Sequence, residues 1–186
     1  MGSGYEYSRV ADIKNTGRTV IVPVAYPAAP AVANIDDQLD VSLADLRHWE
    51  RAPTNLAVMA KAGVPFALTA HALEKKDQFW PNLRQAMKHG LTADQALAGL
   101  TTVPAKLVGL PDQLGKIAVG YQADLVIAKG DLFADGEIVA TWTRGQEQQF
   151  KPLKPVEFAG TYTFDLAGKA LSLELSGSGE KLAGKL

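Results

Sequence analysis

Two rhythms of apolar residues divide the chain. Up to about Leu110 they fall at helical spacing or in short unbroken runs, and from Gly115 onward they alternate with polar residues. Tyr5 to Asn15 is a weak helical stretch, with Val10 and Ile13 three apart and Gly17 as its stop. "TVIVPV", Thr19 to Val24, is a β-branched run without alternation. That is how a strand covered on both faces reads, and Pro23 marks the end of its ladder. Pro27 and Pro30 then break the chain, and within the polar stretch Asn34 to Arg51 "SLADLRHW" predicts a short helix. Pro53 suits a first helical turn, Leu56, Met59 and Ala60 share one face, and Gly63 stands where a left-handed cap is wanted. Val64 to Leu68 follows as a second buried strand, which completes a βαβ unit.

Past that strand the pattern turns helical again. Pro81 opens "PNLRQAMKHG", with Leu83, Ala86 and Met87 on one side and Gly90 at its end. Thr92 and Gln95 have the spacing of a capping box, and "VPAKLVGL" is a further short helix. "IAVG", "ADLVIAKGD" and "EIVATWTRG" read as short strands, with "ADGE" as a hairpin turn. "KPLKP" is a stiff, charged linker. Beyond it Tyr162, Phe164 and Leu166 share one face of a strand and Leu171, Leu173 and Leu175 one face of the next, with Gly168 and "SGSG" as turns. This is an antiparallel meander whose third strand is just beginning. A sheet of two parallel strands and a short meander both leave open edges. Further strands are therefore expected, from an upstream part of the same polypeptide or from another chain, and association into an oligomer with them.

Composition narrows the function. With 186 residues, 47% apolar content and a formal net charge of -1, the chain has material for a core and no basic excess for nucleic acid. The absence of cysteine removes thiolate nucleophiles and sulfur-ligated zinc. No apolar run approaches the roughly 20 residues of a membrane span. "MGSG" reads equally as a scar or as native sequence.

One long string has a recognisable order. "NLRQAMKHGLTADQALAGLTTVPAKLVGLPDQLGKIAVGYQADLVIAKGD" resembles the end of the amidohydrolase superfamily, in particular its imidazolonepropionase-like and dihydroorotase-like branches. The likeness extends back through "LAVMAKAGVPFALTA" and, more loosely, through "GYEYSRVADIKNTGRTVIVPV". It implies an α/β fold: the C-terminal part of a (β/α)8 barrel, then half of a small β-sandwich, then the antiparallel meander. The corresponding divisions are residues 1–112, 113–150 and 151–186. It also implies a parent that hydrolyses C–N bonds of small amides or cyclic amides with metal-activated water. In the family's complete enzymes a divalent ion such as zinc is held by a His-x-His pair, further ligands on middle strands and an aspartate ending the eighth strand.

This sequence departs from that pattern. Its three histidines, 48, 71 and 89, have no ligand spacing, so no metal ligand is assigned and no cofactor is expected in this chain. "LTAHAL" has no aspartate where the family's strand-eight pattern puts one, at or beside Ala70 or His71, and Asp77 comes several residues late. His71 is the catalytic candidate and reads three ways: a working substitute for the aspartate, a relic of a degraded site, or a residue outside the site. Tyr26, just past the first strand, is placed to line a barrel mouth and bind substrate. His48 reads as a solvated or capping helix residue, His89 as a helix C-terminal residue, and "EKK" at Glu74 to Lys76 as a solvated charge run. The chain by itself is then catalytically incomplete. A non-catalytic scaffold that has lost its metal is the alternative, and a self-standing β-rich binder in the meander is a third.

Overall fold

The computed structural model describes residues 1–151, 159–178 and 181–185. Its first part is a parallel pair of strands, β1 (Val20–Pro23) and β2 (Phe66–Thr69), in the register Val20↔Phe66 to Pro23↔Thr69. The Val20 N–H donates to the Pro65 carbonyl, just before β2, and the Val24 N–H to the Thr69 carbonyl at its end. Ile21 and Pro23 therefore face the other edge, where the missing N–H of Pro23 breaks no bond to β2. On that outer edge the Gly2 N–H donates to the Ile21 carbonyl at 2.7 Å.

Among the described residues seven α-helices accompany this pair. They are α1 (Val10–Asn15), α2 (Ile35–Asp40), α3 (Leu43–Arg51), α4 (Asn55–Ala62), α5 (Phe79–Lys88), α6 (Ala93–Leu100) and α7 (Thr102–Leu107). The core joins Val22, Val24 and Phe66 to Leu56 and Met59 of α4, Leu83 and Ala86 of α5, Leu91, and Ala96 of α6. α6 lies so close to β2 that a Cβ on Gly99 would sit 3.2 Å from the Phe66 ring and 3.3 Å from Leu68. Thr92 and Gln95 make the expected capping box, and Gly63 ends α4 in the left-handed region. β2 starts later than its apolar run suggests, because the Val64 N–H closes α4 by donating to the Met59 carbonyl and Pro65 has no N–H to give. α2 is an element the polar pattern did not announce.

A buried carboxylate joins the first segment to this core. Glu6, in the 3-10 turn Glu6–Ser8, accepts hydrogen bonds from the Ser3 N–H (2.5 Å), the Gly4 N–H (3.2 Å) and Asn55 Nδ2 (2.6 Å). Asn55, itself buried, uses Oδ1 to accept the Tyr7 N–H at 2.7 Å. Burial pushes the Glu6 carboxyl up, but the hydrogen bonds from Asn55, Ser3 and Gly4 outweigh it and hold the group below the usual carboxylate value.

The second part is antiparallel: β3 (Leu125–Lys129), β4 (Glu137–Thr143) and β5 (Gln146–Gln149), in that order. Arg144 and Gly145, both with positive φ, form the two-residue β4–β5 turn. "IAVG" is not a strand. Gly115 and Gly120 both take positive φ around it, the Tyr121 N–H closes a turn onto the Ala118 carbonyl, and Ile117 and Val119 stand fully in solvent. The two parts meet where Arg84 of α5 donates to the Leu132 carbonyl (3.0 Å) and the Gly136 carbonyl (2.9 Å), beside an edge-on contact of Trp80 with Phe133. The tail forms a three-stranded meander, β6 (Gly160–Leu166), β7 (Lys169–Ser178) and β8 (Lys181–Lys185). Tyr162 pairs with Leu173 and Phe164 with Leu171, which puts the alternating apolar sets of both strands on one face. Most of the predicted "KPLKP" linker lies outside the described residues.

Asn55→Ala removes one side-chain donor from the buried Glu6 carboxylate, which keeps its Ser3 and Gly4 N–H bonds, and leaves the Tyr7 N–H without its acceptor. Thermal or urea unfolding is expected to show a loss of about 2–3 kcal/mol. Because the folded-state value of Glu6 is lowered, its contribution is complete above the unfolded carboxylate value and disappears as pH falls through the folded one. The acid side of the stability profile should flatten in Glu6→Gln. Arg84→Lys cannot reproduce the forked contact to two carbonyls, so amides of the Leu132–Gly136 turn should exchange faster while those of β1 and β2 are unchanged.

Candidate functional site

Parallel strands deliver their following loops to one end of the sheet, which is where α/β folds build sites. Here that end receives the segment after β1, with Tyr26 and the α2–α3 arm, and the segment after β2, with Thr69, His71 and Lys76.

Tyr26 lies past the end of β1 as expected, but its side chain packs against the core and its hydroxyl donates to the Asn82 carbonyl at 3.1 Å. Asn82 in turn donates from Nδ2 to the Val24 carbonyl at 2.9 Å, so the pair ties the end of β1 to α5. Burial pushes the Tyr26 phenol well above its ordinary value and keeps it protonated. His71 is exposed, directly after β2. Its backbone N–H donates to Thr69 Oγ1 at 3.1 Å, while its imidazole makes no hydrogen bond, ion pair or ring contact among the described residues. Tyr26 and His71 thus share an end of the sheet without touching.

Turn geometry around His71 is tightly specified. The Leu73 N–H donates to the Ala70 carbonyl at 3.3 Å, Ala72 takes a left-handed φ of 66°, and the Leu73 side chain is buried. Lys76 Nζ donates to the Ala70 carbonyl at 2.7 Å and the Leu73 carbonyl at 3.0 Å. Lys76 is therefore not a member of a merely solvated charge run, since its ammonium closes the turn that carries His71.

His48 also differs from its expected role. It is half-buried on α3, stacks on Tyr5 with ring centroids 3.5 Å apart and planes 10° apart, and places Nδ1 3.0 Å from the Tyr7 hydroxyl. Burial holds its imidazole below the ordinary histidine value, opposed by the Asp45 carboxylate. α3 itself buries no residue, so this ring seat is a principal tie of the arm to the body. His89 caps the C-terminus of α5, as its position before Gly90 suggests. Among the described residues no group of three or more His, Cys, Asp or Glu could hold a metal ion, and no helix is long and apolar enough to cross a membrane. A divalent ion does not fit the described residues by themselves.

Sequence reasoning missed the Glu6–Asn55 bond, the Tyr5–His48–Tyr7 cluster and the Lys76 clamp. The first two join residues 49 and about 40 positions apart, with no local pattern to reveal them. The clamp had a faint signal, a lysine three residues after the apolar Leu73 at the close of a loop.

The amidohydrolase family model matches residues 44–156, which take in α4 and β2 of the βαβ unit, the following helices and the β3–β5 sheet, and the chain belongs to that family. It is 38% identical over 66 residues to the amidohydrolase tasK of Hapsidospora irregularis, a match over 35% of this chain and 7% of that protein. Over 37 residues it is 54% identical to the imidazolonepropionase of Cupriavidus pinatubonensis, which covers 20% of this chain and 9% of the relative. A solved amidohydrolase from Thermotoga maritima superposes with a TM-score of 0.57 at 24% identity, over 77% of this chain and 34% of that one. A prolidase solved with N-methylphosphonate-L-proline gives 0.56 at 22% identity, over 77% and 38%. The matched chain thus spans a tenth or less of these curated relatives and little more than a third of these solved structures.

The His48 environment predicts a titration. Followed by NMR, its midpoint should lie below the free-histidine value of 6.5, and Asp45→Asn, which removes the opposing carboxylate, should lower it further. A midpoint at or above the free value would mean that the stack on Tyr5 does not form.

Proposed function

We propose that this chain supplies the last strands and helices of an amidohydrolase (β/α)8 barrel and that the completed protein hydrolyses C–N bonds of small amides or cyclic amides. In this reading residues 1–112 are barrel, 113–150 a share of the accompanying β-sandwich and 151–186 a linker and an appended β domain. The observation that carries it is the parallel β1–α4–β2 unit, whose outer edge accepts the Gly2 N–H at Ile21 and whose second strand ends at Thr69, two residues before His71 and inside the family match.

The family is generally metal-dependent, and this chain's described residues do not form a metal site, so the ligands belong to the polypeptide that completes the barrel, upstream in the same chain or in another. No step here runs through that ion. His71 stands just past the C-terminal end of β2, and its imidazole makes no hydrogen bond, ion pair or ring contact among the described residues. It accepts a proton as water adds to the amide carbonyl and returns one to the departing nitrogen, the acid–base work a carboxylate would otherwise do. Tyr26, partly buried past the end of β1 with its hydroxyl held by the Asn82 carbonyl, is the substrate-binding residue of this reading through its place at that end of the sheet.

Purified alone, the chain is expected to carry no stoichiometric zinc by plasma mass spectrometry and to associate by light scattering. One tightly held zinc per chain overturns the shared-site reading. In the completed protein, assayed on cyclic and linear amides, His71→Ala should lower kcat by about 10²-fold or more. Unchanged turnover would remove His71 from the chemistry.

A further inference from the structure

We propose that Lys76 is the positioning residue of His71, holding the turn after β2 in the one conformation that presents the imidazole. The inference rests on the catalytic reading of His71, but its geometry is independent of it.

The turn runs from Ala70 to Leu73, with His71 and Ala72 at its two central positions. Its second central residue adopts φ 66°, which turns of this kind normally give to glycine. An alanine there is strained, and such a conformation persists only where the surroundings over-determine it. Four contacts do so. Thr69 Oγ1 accepts the His71 N–H at 3.1 Å, the Ala70 carbonyl accepts the Leu73 N–H at 3.3 Å, and the Leu73 side chain is buried. The fourth is Lys76, whose ammonium bridges the Ala70 and Leu73 carbonyls at 2.7 and 3.0 Å. Those carbonyls belong to the first and last residues of the turn, so one charge closes it like a clasp.

The side chains point to the purpose of this ordering. Ala70, Ala72 and Leu73 bring no polar side-chain group, and the imidazole of His71 makes no hydrogen bond, ion pair or ring contact among the described residues. The backbone is thus held at every step while the one reactive ring is left free. A lysine suits the clasp because its three donors can serve two carbonyls in a charge-assisted way. Lys75 and Glu74, its neighbours, take no part in these bonds.

The test is the ¹H–¹³C imidazole spectrum of this chain in wild type, Lys76→Met and Lys76→Arg. In Lys76→Met the His71 cross-peak should shift by more than a linewidth or broaden, while those of His48 and His89 stay in place; His71→Ala assigns the peak. Lys76→Arg, which keeps a charged donor, should restore the wild-type position. A His71 peak in Lys76→Met that superimposes on wild type overturns the proposal, and so does an equal movement of all three histidines, which would report general loosening. Should His71→Ala leave turnover intact in the completed protein, the catalytic reading fails separately, because the spectrum reads the turn and not the reaction.

Discussion

The buried carboxylate of Glu6 is the constraint around which the first part of the molecule is arranged. A charge out of water is tolerable only with its lone pairs occupied. The chain occupies them with two backbone N–H groups and the amide of Asn55. Meeting that requirement places Gly2 against β1, seats the turn before α1 and fixes where α4 begins, since the same Asn55 also holds the Tyr7 N–H. The hydrophobic contacts of Val22, Leu56, Met59 and Leu83 supply the bulk of the stabilisation, but they are non-directional. The polar hub decides which arrangement of those helices on the strands is adopted.

From that arrangement the candidate site follows. With β1 and β2 parallel, both following segments emerge at one end, one led by Tyr26 and the other by His71. The two residues are treated differently. Tyr26 is drawn into the core and tied to α5 through Asn82, while His71 is left outward on a clamped turn. A ring on a fixed backbone is what acid–base chemistry needs, because the approach of a proton acceptor depends on small distances. The family match covers that turn, and the catalytic role of His71 there is the one proposed above.

Much of the fold was legible from local pattern. The unbroken β-branched run, the face of Leu56 and Met59, Gly63 as a left-handed cap and the Thr92–Gln95 box all rest on interactions within a few residues, and the structure contains each. "IAVG" misled because alternation alone does not make a strand when glycines on both sides turn the chain away from any partner. β2 was displaced by two residues because the Val64 N–H was already committed to the helix before it. The site was less legible. The position of His71 after a strand could be read, but the contacts of His48 with Tyr5 and Tyr7 depend on residues about forty positions away in the chain.

The sequence by itself therefore determined the order and kind of most of the elements, the resemblance to the family, and the position of His71 just past the second strand. These follow from spacing, propensity and residue identity, which are local. Tertiary structure alone decided that Glu6 is buried and satisfied, that Tyr26 turns inward, and that Lys76 closes the turn of His71. Each of these is a pairing of polar groups whose partners are chosen by where the packed elements bring them. Hydrogen bonds act over about 3 Å, and no pattern along a chain records which distant groups will come that close.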